Sequence, residues 1–265
     1  MFPRHIASIA AFVIASFVAA AAQQIAPSDP AASAMANRAL VSLSGGVGIA
    51  DATLMGTVTR FAGSSRDVGT VEFQALGTRF SRATFDFGIE KQVEVRADSD
   101  SAPAGAWAGS DGMLHSISTH NCWTEPVWFF PILGVLNAGS TPGLQVSYAG
   151  REIKNDIKTE HLHFSHGGDS QIVAANALIS SLSGVDLYLD AVSFLPLAVS
   201  FAAHPDGDAS VTLPIEIRFA DYRSINGVLV PFRIQRLLNG SLTLDVSLQS
   251  VTLNSGISPT IFNLQ

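Results

Sequence analysis

The chain has 265 residues, 47% of them hydrophobic, with 15 basic residues against 22 acidic ones and a formal net charge of -7. That is enough apolar material for one full core, since β-rich single domains run to roughly 200–250 residues, and the acidic balance excludes a protein that follows nucleic-acid phosphates with a clustered basic face. The single cysteine, Cys122, has no intramolecular disulfide partner, and the aromatic residues of "HNCWTEPVWFFP" around it point to burial.

The chain opens with "MFPRHIASIAAFVIASFVAAAAQQ": basic residues at Arg4 and His5, an apolar run from Ile6 to Ala19, and small residues at Ala20 and Ala22. This is the layout of a secretory signal peptide cleaved after Ala22. The alternative is an uncleaved anchor, which is marginal at this length because a bilayer needs about 20 apolar residues. Residues 1–22 are therefore expected to be a signal peptide and residues 23–265 a single domain, periplasmic or secreted. No later segment is long and apolar enough to cross a membrane as a helix.

A helix follows. Ser28 or Asp29 can cap it, Pro30 suits its first position, Met35, Ala39, Leu40 and Leu43 share a side, and Gly45-Gly46 ends it. The period then changes to two. Leu54 and Val58 fall on one face of residues 52–61, Val71 and Phe73 pair within "TVEFQAL", and Phe85 with Phe87 and Val93 with Val95 continue the pattern. Trp107 comes next, and Asp111-Gly112 marks a hairpin turn. Half-buried strands in sequence order predict an antiparallel meander.

"EPVWFFPILGVLNAG" interrupts it. Thr124 can cap, Pro126 fits a first turn, and Pro131 bends or restarts the helix. With almost no polar surface, this helix must be covered on most sides, and it should plug the hollow of a sheet. Two strands, 144–153 and 157–165, flank an Asn155-Asp156 turn. Residues 171–182 have helical spacing at Ile172, Ala175, Ile179 and Leu182, with Asp169 as a possible cap, but their Ser-rich end leaves the assignment open.

From Val185 the strand pattern is strongest. Leu187 and Leu189 alternate with Asp186, Tyr188 and Asp190; Leu197, Val199 and Phe201 share a face; so do Leu213, Ile215, Ile217 and Phe219. Asn226-Gly227 and Asn239-Gly240 tolerate the positive φ of tight turns, so "FADYRSINGVLVPFRIQRLLNG" encodes consecutive hairpins. Pro231 lacks a ladder donor and belongs at a strand start, an edge or a bulge.

Catalytic patterns are absent: there is no G-x-S-x-G elbow, no H-E-x-x-H and no Walker-type loop. "EHLHFSH" sets His161 and His163 on one strand face with Glu160 and His166 nearby, a possible metal group although alternating histidines on a solvated face suffice to explain it. "HPDGDAS" offers Asp206 and Asp208 without the further ligands of a calcium loop. His115 and His120 flank Cys122, with no third orienting group for a nucleophile pair. No metal, cofactor or catalytic residue is expected.

Residues 185–262 carry a resemblance. Asp190, Leu195, Pro196, Tyr222, Gly227, Pro231, Phe232 and Asn254 resemble the Asp-turn-Leu-Pro strand pair, aromatic strand, glycine turn, Pro-aromatic strand and Asn-ended last strand of the LolA/LolB-like periplasmic lipoprotein-carrier superfamily, which includes RseB-type sensor domains. The element order agrees from Ala31, the match is weak over 110–153, and the chain is most similar to exported bacterial proteins of that fold. The resemblance implies an α+β, β-rich domain: a single curved antiparallel sheet, an unclosed half-barrel, with a few helices on its concave face. It implies a non-enzymatic monomer that holds a lipid, an acyl chain or a lipidated partner protein and can touch a membrane surface. The alternative is a structural or sensory module that binds another envelope protein. Leu54, Val58, Phe73, Trp123, Trp128, Phe129, Phe130, Phe201, Phe219 and Phe232 are the expected lining of the pocket, with core packing as the other reading of the aromatics. The lipidated cysteine of the anchored carriers is missing.

Overall fold

The structure is a computed structural model that describes residues 28–98, 103–122, 127–140, 143–167 and 172–263. The expected signal peptide lies outside the described residues, as do Trp123, Thr124, Pro126 and Asp169.

The first helix, α1 (Pro30–Ser44), begins as its sequence predicts. Asp29 is the cap: its carboxylate accepts from the Ala31 amide at 2.8 Å, and Pro30 takes the first turn, where a missing N–H costs nothing. Gly45 ends the helix at φ 58°, and its amide donates to the Val41 carbonyl. Ser28 and Asp29 also exchange hydrogen bonds with Val146, which ties the start of the helix to a distant strand. The buried stripe is Ala32, Ala36, Ala39 and Leu43, with Met35 and Leu40 partly buried beside it. Small side chains let α1 lie close to its neighbours.

Six strands follow as a meander: β1 (Asp51–Ala62), β2 (Ser65–Leu76), β3 (Phe80–Asp86), β4 (Lys91–Asp98), β5 (Pro103–Ala108) and β6 (Leu114–Ile117). A short 3₁₀ turn (Val127–Phe129) then leads into α2 (Pro131–Ser140), so the helix does restart at Pro131. The second meander comprises β7 (Leu144–Lys154), β8 (Ile157–His166), β9 (Val185–Asp190), β10 (Pro196–Ala203), β11 (Leu213–Ile225), β12 (Val228–Leu238) and β13 (Ser241–Leu253), with α3 (Val173–Leu182) between β8 and β9. The ambiguous segment is thus helical. All thirteen strands form one antiparallel sheet in the order β6-β5-β4-β3-β2-β1-β13-β12-β11-β10-β9-β8-β7. Every neighbour in that order is a neighbour in sequence except β1 and β13, which join the two meanders. The sheet is not closed, and α1 and α2 pack on its concave face: the unclosed half-barrel that the resemblance implies.

The turns obey their residues. Asn155, Asn226 and Asn239 sit at φ 49°, 52° and 49°, and Gly227 and Gly240 follow at positive φ. Pro231 stands opposite Tyr222 of β11, in the part of β12 that precedes its pairing with β13 at Arg233. It is therefore locally at an edge, where no donor is required. Leu197 falls at the irregularity between Pro196 and Ala198, outside the regular alternation expected for it.

The residues that carry the resemblance turn out to be ties in the frame. The Asp190 carboxylate accepts from the amides of Val192 and Ser193 and caps the β9–β10 turn. The Tyr222 hydroxyl donates to the Pro196 carbonyl at 2.7 Å. Asn254 accepts from the Ala50 amide and donates to the Gly48 carbonyl, holding the chain entering β1 against the end of β13.

A candidate ligand cavity on the concave face

Cross-strand pairs in direct register share a face, so the inner surface can be followed row by row. Leu54 opposes Phe73, Phe73 opposes Ala83, and Ala83 opposes Glu94. One step along, Val71 opposes Phe85 and Phe85 opposes Gln92. On the other side of β1, Arg60 opposes Leu244, which opposes Arg236. Phe129, from the turn before α2, descends onto this surface and stacks on Phe73. Because Ala83 is small, space remains beside the stacked rings: a cavity of about 290 Å³ lined by Ala83, Phe85, Phe87 and Phe129 at its apolar side and by Arg60, Gln92, Glu94, Arg236 and Thr243 at its polar side. This is near the lower end of the ~300–1,000 Å³ usual for small-molecule pockets.

The polar rim is anchored. The Arg60 guanidinium makes paired contacts with Glu90 at 2.9 and 2.7 Å, reaches Asp67 at 3.0 Å, and lies 4.3 Å over the Phe87 ring. The Glu90 hydrogen bonds hold the guanidinium above its ordinary pKa and hold the Glu90 carboxyl below its own. Arg236 reaches the Thr243 hydroxyl at 3.3 Å. An apolar chain inside would meet ring faces and methyl groups, and its polar end would meet Arg60, paired with Glu90 and Asp67, and Glu94, paired with Arg96.

Of the ten residues expected to line a pocket, Phe129 lines this cavity. Phe73 lies directly beneath it, and Leu54, Val58, Trp128, Phe130, Phe201, Phe219 and Phe232 are all buried in the same continuous core. Trp128 lies against Phe164 and over Gly134 of α2, and Phe232 is covered by the Arg223 guanidinium at 4.3 Å. Trp123 lies outside the described residues. Sequence reasoning missed Arg60, Ala83, Gln92, Glu94 and Arg236 as lining. The available signal was alternation: a small or charged residue at an inward position, as Arg60 is after Leu54 and Val58, marks a gap in the core.

The other candidates fall elsewhere. Cys122 is buried, and burial pushes its thiol up; its sulfur faces the Ile117 and Ser118 carbonyls. His115 stacks on Trp107, and His120 packs edge-on to His204. Asp208 accepts from the Ser210 amide, as a turn residue does, and Asp206 accepts from the Ser118 amide, a tie across 88 positions between its loop and the segment after β6. Glu160 faces inward, where Tyr148 and Arg151 hold its carboxyl low, while His161 and His163 face outward. Among the described residues no group of three or more His, Cys, Asp or Glu side chains is arranged to hold a metal ion.

An unclosed antiparallel sheet with helices in its hollow is the LolA-like fold, and solved structures share its course. A domain from Vibrio parahaemolyticus described as an outer membrane lipoprotein-sorting protein domain matches 88% of this chain and 96% of its own at a TM-score of 0.57 and 11% identity. A DUF1329 family protein from Desulfovibrio piger matches 90% and 98% at 0.58 and 11% identity. A LolA superfamily protein from Nitrosomonas europaea matches 88% and 97% at 0.52 and 13% identity. No family model and no curated protein matches the sequence. The likeness lies in the course of the chain.

Proposed function

We propose that this is an exported, monomeric, non-enzymatic protein that holds one acyl chain, from a lipid or a lipidated partner, in the concave cavity. The observation that carries the reading is the gap beside Phe129, where the sheet and the segment before α2 fail to fill their own interface. Each methylene taken from water there contributes about 0.8 kcal/mol, so a short stretch of chain offsets a large part of the cost of holding it. The LolA-like course of the chain supports the same reading, as does the likeness to a Vibrio domain described as lipoprotein-sorting. The signal-peptide layout of residues 1–22 supports export.

The test is extraction and mass spectrometry of lipid from protein purified under native conditions, with an Ala83→Phe variant designed to fill the cavity. Wild-type protein is expected to carry lipid and the folded variant to carry none. Equal amounts of lipid in both, or none in either, defeats the proposal. The second reading, a module that binds another envelope protein, is favoured by the packed state of the rest of the interior; it gains if both proteins are lipid-free.

A further inference from the structure

The outer face of the sheet carries a polar row that the concave cavity does not use. Direct register places His163 (β8) beside Asp186 (β9), Asp186 beside Ser200 (β10), Ser200 beside Glu216 (β11) and Glu216 beside Leu237 (β12). Alternation puts this row on the side opposite Leu162, Leu187, Val199 and Ile217. Above it lies a second pocket, of about 410 Å³, to which Arg218, Thr212, Ser181 and Gly184 also contribute.

The charges of this pocket are paired within the protein. Asp186 Oδ1 accepts from His163 Nδ1 at 2.8 Å and from His161 Nε2 at 2.9 Å. Glu216 receives Lys154 Nζ at 2.7 Å on one oxygen and Arg218 Nε on the other. Neither a free anion nor a free cation finds an excess of opposite charge, and the described side chains form no metal-binding group. Hydrogen-bonding capacity is nevertheless left over: Asp186 Oδ2, His163 Nε2 and the terminal amines of Arg218 have no hydrogen bond among the described residues. Ser200 Oγ lies in the floor of the pocket beside the Tyr188 hydroxyl, shielded from solvent and so not offered to a ligand. A serine hydrolase arrangement is ruled out by order, because Asp186 stands between His163 and Ser200 and the imidazole cannot take the serine proton.

Donors and acceptors alternating along a line, strengthened by charge yet neutral in sum, suit a neutral ligand whose groups each donate and accept. Hydroxyls do so, and bonds between them and charged side chains are the stronger kind. We propose that the outer pocket over His163, Asp186, Glu216 and Arg218 binds a neutral saccharide.

The experiment is a titration of ¹⁵N-labelled full-chain protein with glucose, with N-acetylglucosamine and with maltose, followed by amide shifts, and repeated with Ser200→Ala and Arg218→Gln. At least one sugar is expected to shift the amides around Ser200, Asp186 and Arg218 saturably in the millimolar range. Arg218→Gln, which removes the terminal amines that face the pocket, should weaken that binding roughly tenfold, the scale of one hydrogen bond, whereas Ser200→Ala, whose hydroxyl is shielded, should leave it unchanged. Unshifted amides at tens of millimolar of all three sugars overturn the proposal, as does unchanged affinity in Arg218→Gln. So does saturable binding of inorganic phosphate or zinc at the same amides in place of sugar. Lipid content plays no part in the readout, so the acyl-chain reading stands or falls separately.

Discussion

Phe129 stacks on Phe73 with ring centroids 4.4 Å apart and planes 15° from parallel. One ring belongs to the segment before α2 and the other to β2, so this contact fastens the inserted segment to the sheet while leaving the space above Ala83 open.

Phe129→Ala should therefore both loosen the fold and enlarge the cavity. A buried Phe truncated to Ala costs about 3–5 kcal/mol, and Phe129→Leu should cost distinctly less. Urea unfolding monitored by circular dichroism measures both; equal midpoints for wild type and Phe129→Ala would show that the stack carries no stability.

Gly134 gives a test of sign. In an exposed helix, Gly→Ala stabilises by about 1 kcal/mol. Here a Cβ on Gly134 would lie 2.5 Å from the Trp128 indole. Gly134→Ala should thus destabilise and shift the Trp emission, and a rise in melting temperature would contradict the packing described.

Asp51 predicts acid sensitivity. Burial opposes its ionisation, but the Ser255 and Gly256 amides and the Ser255 hydroxyl outweigh burial and hold the carboxyl below its ordinary 3.8. A lowered folded-state pKa stabilises above the unfolded value, and that stability is lost as pH falls through the folded one. Denaturation midpoints measured from neutral pH down to about pH 2 should fall steeply for the wild type, with a shallower fall for Asp51→Asn, which should already be weaker at neutral pH.

His163 predicts the opposite slope. Its hydrogen bond to Asp186 raises the imidazole above 6.5 against the effect of burial. The contribution is complete below about pH 6.5 and disappears as pH rises through the raised value. In NMR titrations His163 should protonate above 6.5 in the wild type and below its wild-type value in Asp186→Asn, and the variant should lose more stability at pH 6 than at pH 9.

The frame was largely legible in the sequence because its signals are local. Asn226-Gly227 and Asn239-Gly240 dictate their own turns, Asp29 and Pro30 start α1, and alternation separates inner from outer residues strand by strand. The cavity was not legible, because it depends on Ala83 and Phe129 meeting across 46 residues, and no local pattern reports that their volumes fail to fill the space between them. The outer pocket was hidden for a related reason. His161 and His163 could be placed on one face, but Asp186, the group that engages both, comes from another strand, and only the register brings it there. Leu54, Val58, Phe73, Phe219 and Phe232 are buried, whereas Leu213 is exposed and Leu197 lies outside the core; which of the buried residues border empty space is a matter of fit.

The ladder between β1 and β13 pairs residues about 190 positions apart, from Arg60 with Leu244 to Ala52 with Leu253. Every other ladder joins strands that are consecutive in the sequence, whereas this seam must wait for two distant stretches to find each other. Chain-closure statistics put the extra entropic cost over a short hairpin at about 3 kcal/mol. The seam is thus the slow stitch of assembly: until it forms, two partial sheets each present a bare edge, β1 and β13, on which a second unfinished copy could zip just as well.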